Sequence, residues 1–430
     1  MTYRQCLEYL YSQLPMFHRI GPAAYKANLD NTISIMRMLG NPEHGFPCIH
    51  VAGTNGKGST SHMLASILQE AGYKTGLFTS PHLKDFRERI RINGKMISRQ
   101  KVVSFVQRYR DGFESIQPSF FEWNAGLAFD HFQNSKVDIA VIETGLGGRL
   151  DSTNVVQPML SLITNVQWDH MNLLGNTLGK ISKEKAGIIK QNTPVIIGTT
   201  QNETERVFRT VAKKHKANIQ FADQLYRIKS SGESRSGEIT RFDVLRNKKT
   251  ILSGLKCGLA GSYQKHNIPL VLAAIETLRE LGIRVSEKEL RKGLKNVKTN
   301  TGIRGRWEVI SKKPLTIADT AHNKDGIIAV VNQLKRIKYK NLHLVLGAVN
   351  DKDISSMLAL FPKNGTCYFC KPNIPRGLDA MQLKILAESI GLQGEAYPSV
   401  KKALQAARKK SVSSDLIYIG GSTFVVAEAL

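Results

Sequence analysis

One segment has residue types and spacing that suit phosphate chemistry, the glycine-rich stretch His50-Val-Ala-Gly-Thr-Asn-Gly-Lys-Gly-Ser-Thr60. It follows an apolar run and leads directly into a predicted helix. Glycines let backbone N–H groups converge on phosphate oxygens, and the N-terminus of the following helix adds partial positive charge. Lys57 can reach terminal phosphates, and Ser59 or Thr60 can offer a hydroxyl to a metal ion. The segment therefore predicts a phosphate-binding loop.

The spelling of this loop departs from the common G-x-x-x-x-G-K-S/T pattern. Val51 stands where the first glycine would be, and Gly58 separates Lys57 from Ser59. The alternative interpretation is an ordinary glycine-rich turn between a strand and a helix. The order of strand, glycines, lysine, serine and helix favours phosphate binding.

Polar residues follow three further predicted strands. Glu143 comes after the apolar run Asp138–Ile142 and precedes a glycine-rich turn. His170 closes the segment after the next strand, and Thr79-Ser-Pro-His82 follows another. A single strand-end glutamate is usually solvated and a single histidine is usually structural, but ligands of open α/β sheets bind beyond the carboxyl ends of the strands. Glu143 is then placed to hold Mg²⁺, which prefers oxygen ligands.

The segment from Leu174 to Lys190 combines a helical pattern with several lysines. Most lysines on such a helix are solvated. Their spacing alone does not distinguish Lys185 from Lys183 as a functional residue, so both interpretations stay open on the residue pattern.

Short apolar runs alternate with longer amphipathic stretches along most of the chain. The predicted strands are Cys48–Ala52, Thr75–Thr79, Asp138–Ile142, Met159–Thr164, Pro194–Gly198, Leu315–Ala318, Leu342–Gly347 and Leu416–Ile419. Helices are predicted over Ser59–Ala71, whose apolar residues share one face, and near Ile327–Leu334. This alternation is typical of the α/β class with a mainly parallel sheet.

Two segments interrupt this pattern. Residues 227–256 are polar, with Gly and Ser between short alternating pieces, which predicts a β-hairpin excursion at the surface. Asn296–Gly305 has little apolar content and two glycines, which predicts a domain linker. We therefore expect one domain over residues 1–298 and a smaller one over residues 299–430.

The composition limits the class of protein. The 430 residues are 41% hydrophobic and 22% charged, which are ordinary values for a globular chain. The apolar runs are far shorter than the roughly 20 residues of a membrane helix, and the N-terminus lacks the apolar core of a signal peptide. Five cysteines argue against a disulfide scaffold and indicate a reducing cytosol. Cys367-Tyr-Phe-Cys370 has a metal-like spacing, but without a second pair it predicts a strand.

The net charge of +26 favours anionic partners, either nucleic acid or a polyanionic small molecule. No recognised nucleic-acid module is present, and the basic runs Lys213–Lys216 and Arg408–Lys410 are expected to be solvated helix faces. We therefore expect small-molecule partners, and neither nucleic acid nor a membrane.

Eight motifs of the chain occur in the order known from one enzyme family. They are Gly53-Thr-Asn-Gly-Lys-Gly-Ser59, Thr79-Ser-Pro-His-Leu83, Glu143-x-Gly-x-Gly-Gly-Arg-Leu-Asp-Ser-Thr-Asn154, Asp169-His170, Leu174-Gly-x-Thr177, Glu184-Lys-Ala-Gly-Ile188, Gly305-Arg-Trp-Glu308 and Asp319-Thr-Ala-His-Asn323. Over about residues 45–425 the sequence resembles folylpolyglutamate synthase/dihydrofolate synthase, of the Mur ligase superfamily.

This resemblance implies an N-terminal P-loop ATPase domain and a smaller C-terminal Rossmann-like domain, with the active site between them. It implies ATP contacts from Thr54, Asn55, Gly56, Lys57, Gly58, Ser59, Asn267, Arg306 and Asp319. It implies Mg²⁺, expected as two ions, on Ser59, Ser80, Glu143, His170 and a carbamylated Lys185. The pterin would lie near Phe121, Glu122, Trp123, Asn124, Leu150, Asp151 and Ser152.

The catalytic residues expected on this basis are Lys57, Lys185 and His322. The family's carbamylated lysine matches Lys185 and not Lys183. A carbamate forms only on a neutral amine, so a lowered lysine pKa would favour it. His322 could face the phosphates, and a structural histidine is the alternative.

The reaction implied by the resemblance joins L-glutamate to dihydropteroate, or to the glutamate tail of a folate, through an acyl phosphate made from ATP. We expect both activities in one cytoplasmic monomer, and the alternative is polyglutamate synthesis alone. A P-loop kinase or ATPase would account for Lys57 and Glu143, but not for Lys185, Arg306 or Asp319.

The chain departs from the family pattern at two places. Tyr263-Gln264 stands where the family often has His-Gln ahead of Asn267. Trp123 and Asn124 replace smaller residues after Phe-Phe-Glu. We expect these changes to alter the fit of the pterin or the nucleotide without removing a catalytic group.

Overall fold

The chain folds into two α/β units, seen in a computed structural model that describes residues 1–16, 21, 28–233, 238–350 and 354–430. The first unit comprises Met1–Gly232, Arg241–Gly258 and Gln264–Ile303. The second unit comprises Glu233–Thr240, Leu259–Tyr263 and Arg304–Leu430. The chain therefore belongs to the two units alternately before the second unit continues to residue 430.

In the described part of the first unit, eight strands form one sheet in the order β4-β3-β2-β5-β1-β6-β7-β8. The strands are β1 (Cys48–Ala52), β2 (Thr75–Phe78), β3 (Ile90–Ile92), β4 (Lys95–Met96), β5 (Ile139–Glu143), β6 (Leu160–Ile163), β7 (Val195–Ile197) and β8 (Ile219–Phe221). The run of neighbours β2-β5-β1-β6-β7-β8 is parallel, and the β2–β3 and β3–β4 pairs are antiparallel. The mainly parallel sheet and its predicted strands are confirmed, because uncharged apolar runs suit strands that are buried on both faces.

The helices of the first unit include the one that follows the phosphate loop. They are α1 (Tyr3–Ser12), α2 (Asp30–Met38), α3 (Lys57–Glu70), α4 (Arg99–Ile116), α5 (Phe120–Asn134), α6 (Met171–Leu174), α7 (Leu178–Ala186), α8 (Asn202–Lys214), α9 (Ala222–Leu225), α10 (Gln264–Glu280), α11 (Glu287–Lys295) and α12 (Val297–Thr301). Helix α3 is buried along most of its length. Gly293 of α11 permits close packing on α3, since a Cβ there would lie 2.5 Å from the Ile67 Cα. The loop is therefore carried by a rigidly packed helix.

The polar excursion forms a three-stranded sheet of β9 (Arg227–Glu233), β10 (Thr240–Arg246) and β11 (Lys249–Cys257), in the order β11-β10-β9. This confirms a β excursion, although residues 234–237 of it lie outside the described residues. The predicted linker Asn296–Gly305 contains α12 and a left-handed Gly302 (φ 65°), so its first half is helical. The two units divide between Ile303 and Arg304, within the same segment.

The described part of the second unit contains a six-stranded sheet in the order β12-β13-β17-β14-β15-β16. Its strands are β12 (Glu308–Lys312), β13 (Leu315–Ala318), β14 (Leu342–Leu346), β15 (Thr366–Cys370), β16 (Gln393–Tyr397) and β17 (Leu416–Gly420). All pairs are parallel except β12–β13. Its helices are α13 (Lys324–Leu334), α14 (Ile354–Leu358), α15 (Ala380–Glu388), α16 (Val400–Lys410) and α17 (Thr423–Ala429). The predicted α/β fold of this part is confirmed.

All five cysteines are buried and lie outside disulfides. Cys367 and Cys370 both lie on β15, as predicted. Residues three apart on a strand point to opposite faces of the sheet. Accordingly, Cys367 packs in one hydrophobic cluster of the second unit and Cys370 in the other. The two thiols therefore do not form a chelating pair.

Candidate active site

The carboxyl ends of four neighbouring parallel strands carry the predicted site segments of the first unit. These strands are adjacent in the order β2-β5-β1-β6. Val51 pairs with Glu143, and Ala52 pairs with Ile163. Because neighbouring strands lie about 4.8 Å apart, the structure brings together the phosphate loop after β1, Glu143 at the end of β5, and the segments that lead to Ser80 and His170.

The phosphate loop needs glycine at two positions, because neighbouring side chains approach its backbone closely. Gly53 (φ 147°) lies so near Thr164 that a Cβ would be 1.8 Å from its Oγ1. Gly56 (φ 85°) is the left-handed N-cap of α3, and a Cβ there would be 2.3 Å from the Asn267 Oδ1. Side chains would therefore clash as well as strain the backbone. Asn267, a predicted ATP contact, thus lies directly against the loop.

The side chains of Thr54 and Asn55 fasten the loop to the segment after β6. The Thr54 Oγ1 accepts from the Gln167 N–H (3.0 Å), and the Asn55 N–H donates to the Asn165 Oδ1 (3.0 Å). The Asn55 side chain also donates to the Gln167 amide oxygen. Sequence reasoning missed Asn165 and Gln167, since their only signal is a position between β6 and Asp169-His170 that is distant in sequence from the loop.

Lys57 and Ser59 lie in the first turn of α3. The Lys57 Nζ donates to the carbonyls of Gly53 (3.0 Å) and Thr54 (3.3 Å), so its charge is held at the loop. The Ser59 Oγ accepts from the Gln264 Nε2 (3.3 Å). Gln264 is fully buried, and its Oε1 accepts from the Asn267 Nδ2 (2.8 Å). Gln264 therefore binds both Ser59 and Asn267, two residues that are predicted to contact ATP.

Glu143 is a buried carboxylate, 3% exposed, whose Oε2 accepts from the Ser80 N–H (3.2 Å). The buried Arg89 interacts with the charge of this carboxylate. The Arg89 Nε donates a hydrogen bond to the His82 Nδ1 (2.7 Å). The His82 Nδ1 accepts this hydrogen bond and therefore carries no proton. Burial lowers the pKa of Arg89 to about 10, and the charge of Glu143 is among those that oppose this shift. Arg89 was not predicted, since nothing in its local sequence marks it as buried.

His170 adopts a left-handed backbone (φ 49°) as the N-cap of α6. Its N–H donates to the Asp169 Oδ1 (3.0 Å), and its Nε2 lies 3.7 Å from the same oxygen. A left-handed conformation is uncommon outside glycine, although Asn, Asp and His adopt it more readily than other residues. The turn therefore places Asp169 and His170 together at the edge of the sheet.

The structure distinguishes the two lysines that the sequence pattern left open. Lys183 is exposed, whereas Lys185 is 2% exposed at the C-terminal end of α7. Burial and, after it, the nearby positive charge of Lys57 lower the pKa of Lys185 to about 7, against the opposing effect of Asp169. Lys185 is thus a buried amine that is partly neutral near pH 7, within electrostatic range of the phosphate loop and of Asp169.

The end of α7 is locked to the glycine-rich turn after β5. The Arg149 N–H donates to the Glu184 carbonyl (2.7 Å), and its guanidinium pairs with the Glu184 carboxylate (2.9 Å). A Cβ on Gly187 would lie 2.3 Å from the Arg149 Cα, and one on Gly148 would lie 3.0 Å from the Lys185 carbonyl oxygen. These contacts fix the backbone that carries Lys185.

The four predicted pterin residues on α5 have different surroundings. Trp123 is 2% exposed and packs against the rings of Tyr9, Phe105 and Phe113. Its substitution for a smaller residue therefore fills an aromatic core.

Glu122 and Asn124 serve the helix itself. The Glu122 Oε2 accepts from the Ser119 N–H (2.5 Å) in a capping box, and the Asn124 Nδ2 donates to the Phe120 carbonyl (2.5 Å). Phe121 is half-buried, and its ring covers Gly145 in the turn after Glu143.

Asp151 staples the turn after β5. Its Oδ2 accepts from the Leu146 N–H (2.7 Å), and its Oδ1 accepts from the N–H (3.0 Å) and hydroxyl (2.6 Å) of Thr153. Burial nevertheless raises the pKa of Asp151. The neighbouring Leu150 and Ser152 are half-buried. The structure thus brings Phe121, Leu150 and Ser152 to the same turn as partly accessible side chains.

In the second unit, Asp319 follows β13 and is 3% exposed. Its Oδ2 accepts from the Trp307 N–H and from the Tyr263 hydroxyl, each at 2.7 Å, and its Oδ1 accepts from the Ala321 N–H (2.9 Å). Burial raises the pKa of Asp319, against the lowering effect of these donors and of Arg306. Tyr263, the departure from the family pattern, therefore contacts a predicted ATP residue.

Arg306 and His322 both contact Thr320. The Arg306 guanidinium donates to the Thr320 hydroxyl and to the Gly305 carbonyl (3.3 Å). The His322 Nδ1 donates to the Thr320 carbonyl (2.9 Å), because a carbonyl can only accept. The three predicted residues of this unit, Arg306, Asp319 and His322, thus form one cluster beyond β13.

Two family models match the chain. The Mur ligase middle domain matches residues 51–275, and the glutamate ligase domain of Mur ligases matches residues 305–423. The first match spans the phosphate loop, Glu143, Lys185 and Asn267, and the second spans the cluster beyond β13.

Individual proteins are similar over nearly the whole chain. The dihydrofolate synthase/folylpolyglutamate synthase of Bacillus subtilis is 34% identical over 413 residues, which cover 94% of each chain. The structure of Escherichia coli FolC in complex with DHPP and ADP has a TM-score of 0.86 at 29% identity and covers 100% of this chain and 97% of that one. A bifunctional folylpolyglutamate synthase/dihydrofolate synthase with Mn, AMPPNP and L-glutamate bound has a TM-score of 0.84 at 27% identity, with coverages of 100% and 97%.

Proposed function

Because the chain belongs to the folylpolyglutamate synthase/dihydrofolate synthase family of the Mur ligases, as its motifs predicted, we propose that this ATP-dependent ligase joins L-glutamate both to dihydropteroate and to the glutamate tail of folates. The ligands of its structural relatives support these substrates, since one holds DHPP and ADP and another holds AMPPNP and L-glutamate. The enzyme would act as a monomer on small molecules, with neither nucleic acid nor a membrane as partner.

The observation that carries the proposal is the buried Lys185 within electrostatic range of Lys57 in the phosphate loop. A kinase or a simple ATPase needs the loop and a carboxylate for its metal. It has no evident use for a buried, partly neutral amine fixed beside them. A ligase in which CO₂ adds to this neutral amine does, because the carbamate that forms as a proton is released is an anionic oxygen ligand.

The donors of the first unit fit a hard divalent cation. Glu143 supplies a buried carboxylate oriented by Ser80, yet the described residues contain no group of three His, Cys, Asp or Glu side chains suited to a metal. A carbamate on Lys185 would add the missing anionic oxygen. We assign Mg²⁺, as two ions, to Ser59, Ser80, Glu143, His170 and carbamylated Lys185. When bound, Mg²⁺ neutralises phosphate charge and orients the transferred phosphoryl group.

The first chemical step requires an anionic carboxylate to approach an anionic γ-phosphate. Two unit charges 4 Å apart interact by about 4 kcal/mol at an effective dielectric of 20. Lys57 at the loop and Arg306 beyond β13 would offset this repulsion as the acyl phosphate forms and ADP leaves. We assign His322 to the phosphates as well, with its Nδ1 proton committed to Thr320.

The second step is attack by the amine of L-glutamate on the acyl carbon. The amide bond forms, inorganic phosphate leaves, and the amine loses a proton. Holding the acyl phosphate and the amine together can contribute on the order of 7–11 kcal/mol. We assign the nucleotide to Thr54, Asn55, Gly56, Lys57, Gly58, Ser59, Asn267, Arg306 and Asp319.

The pterin is assigned to the turn after β5 and the start of α5. Phe121, Leu150 and Ser152 are the half-buried side chains there, so they are the candidates for direct contact. Glu122, Asn124 and Asp151 are buried and hydrogen-bonded within the protein, and Trp123 is buried among aromatic rings, so these four would shape the wall of the pterin site.

The test is to incubate the protein with ATP, Mg²⁺ and L-glutamate, with dihydropteroate in one reaction and tetrahydrofolate in another. ADP release and product mass are measured in each, with a reaction lacking glutamate as control. Product in both reactions is expected. Product with tetrahydrofolate alone would leave polyglutamate synthesis only, and ADP release that does not depend on glutamate, without a new amide, would leave a bare ATPase.

A further inference from the structure

The segment Leu259–Tyr263 is held by several side-chain contacts within the second unit. The Gln333 amide of α13 clamps it at two points, donating to the Ala260 carbonyl (3.2 Å) and accepting from the Ser262 N–H (2.7 Å). Gln333 is buried, with 3% exposure. A Cβ on Gly261 would lie 2.3 Å from the Tyr263 Cζ, so the glycine makes room for the tyrosine ring. The position of Tyr263 is therefore closely determined.

The ring of Tyr263 delivers a hydroxyl to the carboxylate of Asp319, with 2.7 Å between Oη and Oδ2. The second donor to the same oxygen is the Trp307 N–H, also at 2.7 Å. Trp307 has a left-handed backbone (φ 47°), which is unfavourable for a bulky residue. The Trp307 N–H and the Tyr263 hydroxyl therefore both donate to the buried Oδ2 of Asp319. Two such donors are expected where a carboxylate must keep one orientation and stay ionised.

We propose that Tyr263 is a positioning residue for nucleotide binding that acts through Asp319. The proposal rests on the proposed function, because Asp319 is assigned there to ATP. Tyr263 orients the carboxylate by donating to Oδ2, and it stabilises the ionised form by a charge-assisted hydrogen bond. Burial and Asp319 both raise the pKa of Tyr263, so the hydroxyl remains a donor throughout the neutral range.

Removal of this hydroxyl leaves the Asp319 Oδ2 with the Trp307 N–H. The carboxylate then rotates more freely and is protonated more readily, because burial already raises its pKa. Loss of one hydrogen bond to a charged group weakens an interaction by about tenfold. We expect Tyr263→Phe to raise the Kd of ADP and the KM of ATP by about tenfold, with kcat changed much less, since Tyr263 touches no reacting atom.

The chain offers a matched control in Tyr418 on β17. Its hydroxyl is buried in the same unit, within electrostatic range of Asp319, and has no hydrogen-bond partner among the described residues. Tyr418→Phe removes the same atom from a fully buried ring whose hydroxyl does not bond to Asp319. It is expected to leave nucleotide binding unchanged.

The experiment measures ADP binding by calorimetry on the full chain for wild type, Tyr263→Phe, Tyr418→Phe, Asp319→Asn and the double variant of Tyr263 and Asp319. ATP kinetics and thermal unfolding are recorded alongside. Tyr263→Phe keeps the ring and should unfold near the wild-type temperature. If Tyr263 acts through Asp319, its tenfold effect on the Kd disappears in the Asp319→Asn background.

Three results from the tyrosine variants would overturn the proposal. They are an unchanged Kd in Tyr263→Phe, an equal effect in the Asp319→Asn background, and an equal loss in Tyr418→Phe. ADP binding needs no ligase activity, so a wild type that binds ADP but shows no glutamate-dependent ADP release would refute the proposed function alone. An Asp319→Asn variant that binds ADP normally would refute the assignment of Asp319 and, with it, the role of Tyr263.

Discussion

The chemistry of individual residues in this protein depends on burial more than on residue type. Lys183 and Lys185 lie two positions apart on α7, yet one is exposed and the other is 2% exposed beside Lys57 and Asp169. A buried ammonium is disfavoured, so Lys185 is the lysine that can present a neutral amine near pH 7. This difference makes Lys185 the residue at which the proposed carbamate can be tested.

We predict that Lys185 is carbamylated and that the carbamate increases as the pH rises through about 7. The pKa of Lys185 is lowered to about 7, so its amine is mostly protonated at pH 6 and mostly neutral at pH 8. Carbon-13 NMR of the protein in labelled bicarbonate measures the carbamate directly. Wild type and Lys183→Arg should show the resonance, and Lys185→Arg should lose it together with about 100-fold or more of the activity. An equal signal in Lys185→Arg would contradict the assignment.

Neighbouring residues of α5 should separate stability from substrate binding. Trp123 packs against three aromatic rings, so Trp123→Ala should lower the free energy of unfolding by about 3–5 kcal/mol. Phe121 is half-buried over Gly145, so Phe121→Ala should cost less stability and raise the KM for dihydropteroate. Chemical denaturation and steady-state kinetics measure the two effects. A Phe121→Ala variant with an unchanged KM would remove Phe121 from the pterin site.

At the scale of elements, the site depends on how the turns after parallel strands meet the helices that follow them. The phosphate loop fits between Thr164 after β6 and Asn267 on α10, with no room for a Cβ at Gly53 or Gly56. The turn after β5 is fixed in the same way against the end of α7. Small displacements of these elements should therefore weaken the binding of the nucleotide.

Gly56→Ala tests this packing against a matched glycine. Both Gly56 and Gly72 have left-handed backbones, at φ 85° and 89°, but a Cβ on Gly72 meets nothing within 4 Å. Each alanine should cost about 1–3 kcal/mol of stability from backbone strain. Gly56→Ala should in addition weaken ADP binding by more than about tenfold, because its Cβ displaces Asn267. Comparable ADP affinities for the two variants would show that the close approach of Asn267 is unimportant.

Which elements and site residues could be predicted from the sequence depends on whether their signals are local. Apolar runs, glycine turns and their order predict most of the parallel strands of the two larger sheets and the phosphate loop, because those signals are local. Arg89, Gln264, Asn165 and Gln167 were missed, since each matters through partners distant in the sequence or through burial, which no local pattern records. Likewise, Lys185 was separated from Lys183 on the sequence only by family resemblance, whereas the fold separates them by exposure.

For the whole molecule, the basic net charge is consistent with an enzyme that binds anionic substrates. The net charge of +26 would attract ATP and folates, which gain a carboxylate with each added glutamate. No helix among the described residues is both long and apolar enough to cross a bilayer. The first unit has a cluster around the phosphate loop, and the second unit has one around Asp319, each beyond the carboxyl ends of parallel strands.

The fate of the substrate carboxylate oxygen tests most directly whether the reaction passes through an acyl phosphate. Dihydropteroate labelled with oxygen-18 in its carboxylate is converted with ATP and L-glutamate, and the inorganic phosphate is analysed by mass spectrometry. An acyl phosphate predicts one labelled oxygen in each phosphate released, because the carboxylate oxygen that attacks the γ-phosphate leaves with it. Amide product accompanied by unlabelled phosphate would contradict the proposed mechanism.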